Sequence, residues 1–301
     1  MTYCIGIRLN AGLVFLSDSR TNAGMDQIST FRKMMIYERP GDRFMVMLSA
    51  GNLSVSQSIR ELLQVETLAR SPDEEPLTIW NATNMFDVAR VLGATVRRVY
   101  HHDGAALNTA GMEFHASLIL GGQIKGEAMR MFLVYSAGNF IEATRETCYF
   151  QIGEAKYGKP VLDRLIVPTT LLDTAAKCAL VSMDSTLKSN LSVGLPLDLL
   201  VYREGALRSD QVVCIDDGNP YFQMIRSTWA SACGRCSIAW KIRPGTAAIP
   251  ATPCGYRPRV TSRCARSPRR AKRSSKCGRG EATMHGLEWH QHTSQNVING
   301  G

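Results

Sequence analysis

The sequence predicts an α+β fold: a four-layer α/β/β/α sandwich in which two antiparallel sheets stack face to face and each carries a helix pair on its outer side. Three observations predict it. The apolar period switches from two to 3.6 and back twice, giving the order strands, two helices, strands, two helices, strands. That order lacks the strand–helix alternation of a doubly wound parallel sheet. Turn signals such as Asn10-Ala11-Gly12, Pro40-Gly41-Asp42 and Glu204-Gly205 separate consecutive strand-like runs.

The elements follow in order. Tyr3 to Leu9 and Leu13 to Leu16 read as an opening hairpin, and Met34 to Tyr37 and Phe44 to Leu48 as a second strand pair. Val55, Ile59, Leu62, Leu63 and Leu68 recur at helical spacing after Ser54, an expected N-cap. A second helix carries Met85, Val88, Val91, Leu92, Val96 and Val99 and is expected to fray near His101-His102-Asp103-Gly104. Strands return at Phe114 to Leu120 and Met131 to Tyr135, with a break expected at Gly121-Gly122, and again near Ile141 and at Tyr149 to Ile152. Lys156 to Leu165 and Leu171 to Thr186 read as helices, the second with Thr170 and Asp173 at capping-box spacing. Leu195 to Tyr202 and Gln211 to Ile215 are the closing strands, and Pro220 to Trp229 a last short helix.

The chain has 301 residues, 45% hydrophobic and 20% charged, enough apolar material for a sizeable core. Its net charge of +9 is unevenly placed. Residues 231–301 hold 13 Lys and Arg against two acids, whereas residues 1–230 hold 22 basic and 24 acidic residues, a net of −2. This composition shift divides the chain into a globular domain over 2–230 and a basic Cys/Arg-rich tail over 231–301. The tail reads as a disordered extension or as frame-shifted sequence. A basic arm for nucleic acid is the alternative there, while the near-neutral body gives nucleic acid no footprint. Cys233-Gly234-Arg235-Cys236 has metal-knuckle spacing, but Cys254, Cys264 and Cys277 are too widely spaced to complete a zinc site, so no metal is expected. Cys4, Cys148, Cys178 and Cys214 lie on apolar stretches and read as small buried hydrophobes. With no run of eighteen apolar residues and no secretory signal, the expectation is a cytoplasmic protein without a membrane span.

Familiar catalytic motifs fail. There is no Gly-x-Ser-x-Gly elbow and no His-Glu-x-x-His helix. Gly153 to Pro160 nearly matches a phosphate-binding loop, but Pro160 stands where a Ser or Thr must reach magnesium. Of the body's histidines, His101 and His102 fall at a helix end, and His115 reads as a core residue. Few candidates remain for a histidine base.

A threonine at the N-terminus needs no histidine, because its α-amino group is its own base. Met1-Thr2 supplies one, and removal of Met1 would expose Thr2. Around it stand Thr2-Tyr3-Cys4-Ile5-Gly6-Ile7, Ser17-Asp18-Ser19-Arg20-Thr21-Asn22-Ala23-Gly24, Thr30-Phe31-Arg32-Lys33, Ser49-Ala50-Gly51-Asn52 and Ser182-Met183-Asp184-Ser185-Thr186. Over roughly residues 2–230 this set resembles the N-terminal-nucleophile hydrolases, specifically the β-subunits of the proteasome and HslV, and within them the bacterial Anbu (ancestral β-subunit) group. The resemblance implies a threonine peptidase working in an oligomeric ring or spiral on peptides or unfolded proteins, with no cofactor. Since the chain has no ATPase motif, any unfoldase would be a separate partner. The resemblance makes Thr2 the nucleophile, Lys33 the ammonium beside its hydroxyl and Asp18 the partner of Lys33. The amide of Gly51 would be the oxyanion donor. Thr21 to Gly24 would bind an extended peptide as an added strand, and Thr21, Phe31, Met35, Ser49 and Leu53 would line the pocket for the residue before the cleaved bond. Two departures stand out: Glu154 replaces a supporting serine, and Asp184, Ser189 and Ser192 do not reproduce the family's Asp-x-x-Ser spacing. Two other readings remain, a small-amide hydrolase or acyl transferase on the same scaffold, and a non-enzymatic binding protein acting through its basic tail.

Overall fold

The hairpin at the start of the chain sets the frame for everything after it. In the computed structural model, which describes residues 2–22, 28–69, 74–209, 211–239 and 298–299, β1 (Tyr3–Leu9) and β2 (Gly12–Asp18) pair antiparallel from Leu9↔Gly12 to Cys4↔Ser17. Gly12 turns the chain, since a Cβ there would run into the Tyr202 carbonyl. Short strands β3 (Arg20–Asn22) and β4 (Ile28–Thr30) form a separate ribbon. They lead into β5 (Met34–Arg39) and β6 (Arg43–Gly51). Helices α1 (Leu53–Leu63) and α2 (Met85–Thr109) follow. Next come β7 (Ala116–Ile124), β8 (Arg130–Val134), β9 (Phe140–Glu142) and β10 (Tyr149–Gly153). Helices α3 (Lys159–Leu165) and α4 (Leu172–Ser189), strands β11 (Leu197–Arg203) and β12 (Gln211–Ile215), and helix α5 (Pro220–Ala239) complete the succession.

One sheet has five strands in the order β10-β1-β2-β11-β12, all antiparallel. In the other, β5-β6-β7-β8-β9 run antiparallel, and the two-residue β13 (Ile298–Asn299) lies parallel to β5. Three apolar clusters hold these parts. Cys4, Leu13 and Phe15 of the first sheet meet Phe44, Val46, Ile119 and Met131 of the second. Phe44 and Tyr202 stack at 4.4 Å between them. Val55, Ile59 and Leu63 of α1 and the apolar stripe of α2 pack on Met45, Met47 and Leu118. Leu162 of α3 and Ala175, Ala179 and Met183 of α4 pack on Ile5, Ile7, Val14 and Leu16. Each fully buried aliphatic side chain here stabilises by about 1.5–3 kcal/mol. Among the described residues, no helix is long and apolar enough to cross a membrane.

Several expectations need correction. Gly121-Gly122 does not break the strand but lies within β7, because a Cβ on Gly121 would strike the Phe15 ring and one on Gly122 the Phe44 carbonyl. Close approach, not a turn, requires these glycines. Helix α2 does not fray at His101 but runs to Thr109, with Leu107 packed on the helix cluster. The cap of α1 is Asn52, whose side chain accepts from the Ser54 amide at 3.0 Å, so Ser54 is inside the helix, and Leu68 lies beyond its end. No side-chain cap closes α4; the Thr170 hydroxyl instead accepts from the Val167 amide. His115 is exposed rather than core, and Cys214 is exposed where burial was expected. Helix α5 runs ten residues past Trp229, where Ala230, Ala232 and Arg235 are strong helix formers and no proline interrupts the run.

Contacts divide the chain into two compact units, Met1–Arg235 with Asn296–Gly301, and Cys236–Gln295. Cys233 and Cys236 lie on α5, so the tail begins as helix; from residue 240 it lies outside the described residues except Ile298–Asn299, and with it the readings made for Cys254, Cys264, Cys277 and the basic runs.

Candidate active site

Thr2 is placed by its backbone. Its carbonyl accepts from the Glu154 amide at 2.7 Å, just past the end of β10. The next residue, Tyr3, is fixed at both ends. Its amide donates to Asp18 Oδ1 at 3.0 Å, and its buried phenol donates to Ser182 Oγ at 2.7 Å while accepting from Gln151 Nε2. Ser182 Oγ in turn donates to the Gly158 carbonyl at 2.9 Å. Burial pushes the phenol up to about 12, and its hydrogen bonds with Ser182 and Gln151 offset part of that rise. This chain also explains the failed phosphate loop: Gly158 is glycine because a Cβ would collide with the Tyr3 hydroxyl. Tyr3→Phe removes the acceptor of Gln151 Nε2 and one of the two partners of the buried Ser182 Oγ, which keeps its bond to the Gly158 carbonyl, so it is expected to cost about 1–3 kcal/mol in denaturant unfolding.

Asp18 ends β2 wholly buried, and Lys33 stands just before β5 at 5% exposure. Lys33 Nζ donates to Asp18 Oδ1 at 2.7 Å and to the Arg20 carbonyl at 2.7 Å. An ammonium has three donors, so among the described residues one remains for the cavity that Lys33 lines. Burial pushes the Asp18 carboxyl up from its ordinary value, and the Lys33 ammonium and the Tyr3 and Gly194 amides hold it down. With a cation at 2.7 Å and two amide donors, the pair is an ion pair at neutral pH.

Gly51 ends β6 at φ +120°, a conformation that side chains disfavour, and a Cβ there would run into the His115 carbonyl. Thr2, Lys33 and Gly51 line one cavity of about 70 Å3. Thr21, Phe31, Met35, Ser49 and Leu53 line the same cavity. The structure therefore gathers eight of the nine residues singled out in the sequence at one cavity, and the ninth, Asp18, sits directly behind Lys33. Ala23 and Gly24 lie outside the described residues, whereas Arg20 to Asn22 form β3.

Neither a protein-family model nor a curated protein matches the chain. Solved structures do. Anbu (ancestral beta-subunit) from Yersinia bercovieri is 49% identical, with a TM-score of 0.72 over 79% of this chain and 97% of that one. The chain belongs to the Anbu family. Anbu from Hyphomicrobium sp. strain MC1 is 41% identical, with a TM-score of 0.72 over 80% of this chain and 99% of that one. A structure described as the helical assembly of the Anbu complex from Pseudomonas aeruginosa is 40% identical, with a TM-score of 0.74 over 82% of this chain and 100% of that one.

In this Anbu chain the cavity has further walls that the sequence reading missed: Arg32, Met47, Ala50, Ser56, Gln57 and Arg60. Three lie on α1. Stepping from Leu53 by three, four and seven residues reaches Ser56, Gln57 and Arg60, so helical spacing from Leu53 was the available signal. The apolar stripe of the same helix, Val55, Ile59 and Leu63, turns to the core instead. The sequence-level candidates for a supporting shell separate. Glu154, in place of the serine, is buried, accepts from Asn190 Nδ2 at 2.8 Å and holds Thr2 through its amide. Asp184 pairs with Arg226 at 2.8 Å, Ser189 is exposed at the end of α4, and the Ser192 amide bonds Asn190 Oδ1. Among the described residues no cluster of His, Cys, Asp and Glu could hold a metal ion.

Proposed function

We propose that this chain is a proteasome-type threonine peptidase, built as the four-layer sandwich of N-terminal-nucleophile hydrolases over residues 2–230, with 231–301 a tail outside the catalytic domain. The observation that carries the reading is the sharing of one cavity by Thr2, Lys33 and Gly51, with Asp18 at 2.7 Å behind the lysine. With Met1 removed, the Thr2 amine takes the hydroxyl proton through a water, and Oγ attacks the peptide carbonyl carbon. The Lys33 ammonium favours the developing alkoxide and lowers the amine's proton affinity. The Gly51 amide donates to the tetrahedral oxyanion. The carbon–nitrogen bond then breaks, the leaving amine takes the proton, and water hydrolyses the Thr2 ester. Thr21, Phe31, Met35, Ser49 and Leu53 hold the side chain of the residue before the cleaved bond, and the β3 backbone offers the peptide a strand to pair with.

The helical assembly described for the Pseudomonas aeruginosa relative supports a homo-oligomeric working form. The reading places the enzyme in the cytoplasm, and any energy-driven unfolding of its substrates would come from a separate chain.

Intact mass should show Met1 absent, and a covalent probe for N-terminal threonine should label the protein once; retention of Met1 caps the amine and removes the mechanism. A peptide panel run beside small amides separates peptidase action from small-amide hydrolysis or acyl transfer. Truncation after Ala239, where α5 ends, should spare hydrolysis, whereas a binding protein acting through its tail would lose its function.

The pH profile is a further expectation. Activity needs the Asp18 carboxylate, and burial raises that group above its usual 3.8. A raised carboxyl protonates at higher pH, so loss of the Asp18 carboxylate should set in above the ordinary aspartate range, while the rise of kcat/KM toward neutral pH follows the terminal amine, which Lys33 holds below its model-peptide value of about 7.7–8. An acid limb at or below the ordinary aspartate value would separate Asp18 from the reaction.

A further inference from the structure

We infer, building on the peptidase reading above, that the cavity selects peptides with an acidic side chain before the cleaved bond, glutamate ahead of aspartate, and that Arg60 selects it. Three cations line this cavity, Arg32, Lys33 and Arg60, and no Asp or Glu lines it among the described residues. The acids that balance them are outside the lining. Asp18 holds Lys33 at 2.7 Å, and Glu61 Oε1 holds Arg60 Nε and Nη2 at 2.9 and 2.7 Å. Buried Asp198 faces Arg32 electrostatically. An anion entering the cavity therefore meets the cations before their partners.

The three cations are not equivalent. Lys33 is committed to Asp18 and the Arg20 carbonyl beside the nucleophile. Arg32 sits in the field of the buried Asp198, which has one oxygen, Oδ2, without a hydrogen bond and is the nearer claim on that guanidinium. Arg60 keeps a donor in reserve. Its Nη1 has only the thioether of Met35 as an acceptor among the described residues, at 3.8 Å. A thioether is a weak acceptor, and a carboxylate would replace it with a charge-assisted bond. Met35 is itself a wall of this cavity, so the exchange happens where a substrate side chain would end.

Depth favours glutamate. Arg60 follows Leu53 by seven residues on α1, roughly 10 Å along the helix. Leu53 is two residues from Gly51, so along α1 Arg60 is the lining position furthest from the proposed oxyanion donor, and its guanidinium reaches Met35 Sδ at 3.8 Å. A side chain with one more methylene than aspartate spans that depth better.

The test uses the full-length, processed protein and four fluorogenic peptides that differ only in Glu, Asp, Leu or Lys before the cleaved bond. The expected order in kcat/KM is Glu, Asp, Leu, Lys, with glutamate about tenfold over leucine and about 100-fold over lysine, a preference that shrinks as ionic strength rises. Arg60→Met should bring the Glu-to-Leu ratio to about one, and Arg60→Glu should reverse the Glu-to-Lys ratio. A second measurement compares the labelling rates of Thr2 by two electrophilic peptides ending in Glu or Leu, and it reads selection even where turnover is slow. Thr2-dependent labelling or cleavage that favours leucine or lysine, or a Glu-to-Leu ratio unchanged by Arg60→Met, overturns the inference and leaves the peptidase reading standing. Absence of both labelling and cleavage overturns both.

Discussion

Thr2→Ala is expected to abolish peptide hydrolysis and probe labelling, a loss of at least about 10³-fold in kcat/KM, without measurable change in unfolding free energy. The two halves of that expectation come from different atoms. The fold uses the Thr2 carbonyl, which accepts from the Glu154 amide at 2.7 Å, and that bond survives the substitution. The reaction uses the hydroxyl, which alanine removes. Alanine also leaves a small residue after Met1, so processing is unaffected and the terminal amine is still produced. Thr2→Ser keeps hydroxyl and amine and should retain hydrolysis within about 100-fold, since only the methyl group that restricts the side-chain rotamer is lost. Intact mass before and after exposure to the probe, run beside denaturant unfolding, reads both halves on one sample. Labelling of the alanine variant at equal rate would move the nucleophile to another residue. Cys4 is no substitute, because it is fully buried and burial keeps its thiol neutral.

The strands at the heart of the fold were legible because their pattern is redundant. Tyr3 to Leu9 and Gly12 to Asp18 are apolar on both faces, and both faces are covered, one by Phe44, Ile119 and Met131, the other by α4. The misread positions were those where one residue type serves two physical ends. Glycine marks turns, yet Gly121 and Gly122 sit mid-strand so that Phe15 and the Phe44 carbonyl can come close. Serine and threonine mark caps, yet Asn52 caps α1 ahead of Ser54 and Thr170 closes a turn instead of a helix. At the cavity, the residues named by likeness came together, since Thr2, Lys33 and Gly51 each lie at the edge of a strand. Arg60 escaped notice because its helix was read for its apolar stripe alone, and the opposite turn of α1 is what faces the cavity. Tyr3 and Ser182 escaped as well; nothing in their local sequence shows that residues 179 positions apart share a hydrogen bond.

Asp18→Asn is expected to cost about 3–5 kcal/mol of stability and at least about 100-fold in activity. The carboxylate is wholly buried and Lys33 is nearly so, so removing the negative charge leaves an ammonium without its counter-ion, open to solvent only through the cavity it lines. The substitution also weakens the anchor of the Tyr3 amide, one residue from the nucleophile. A structural role alone would account for the lost stability, so the pair has to be dissected. Asp18→Asn combined with Lys33→Met removes both charges, and a buried ion pair replaced on both sides by neutral groups of similar size is often near neutral in stability. The double variant should therefore unfold close to wild type, so the coupling free energy in the double-mutant cycle should be at least as large as the loss of about 3–5 kcal/mol in Asp18→Asn alone. Its activity should stay as low as that of either single variant, because the hydroxyl has lost the charge that favours its alkoxide. Stability that returns without activity assigns the lysine to the reaction. If activity returns together with stability, the pair is a buried strut, and the nucleophile is activated by its own amine alone.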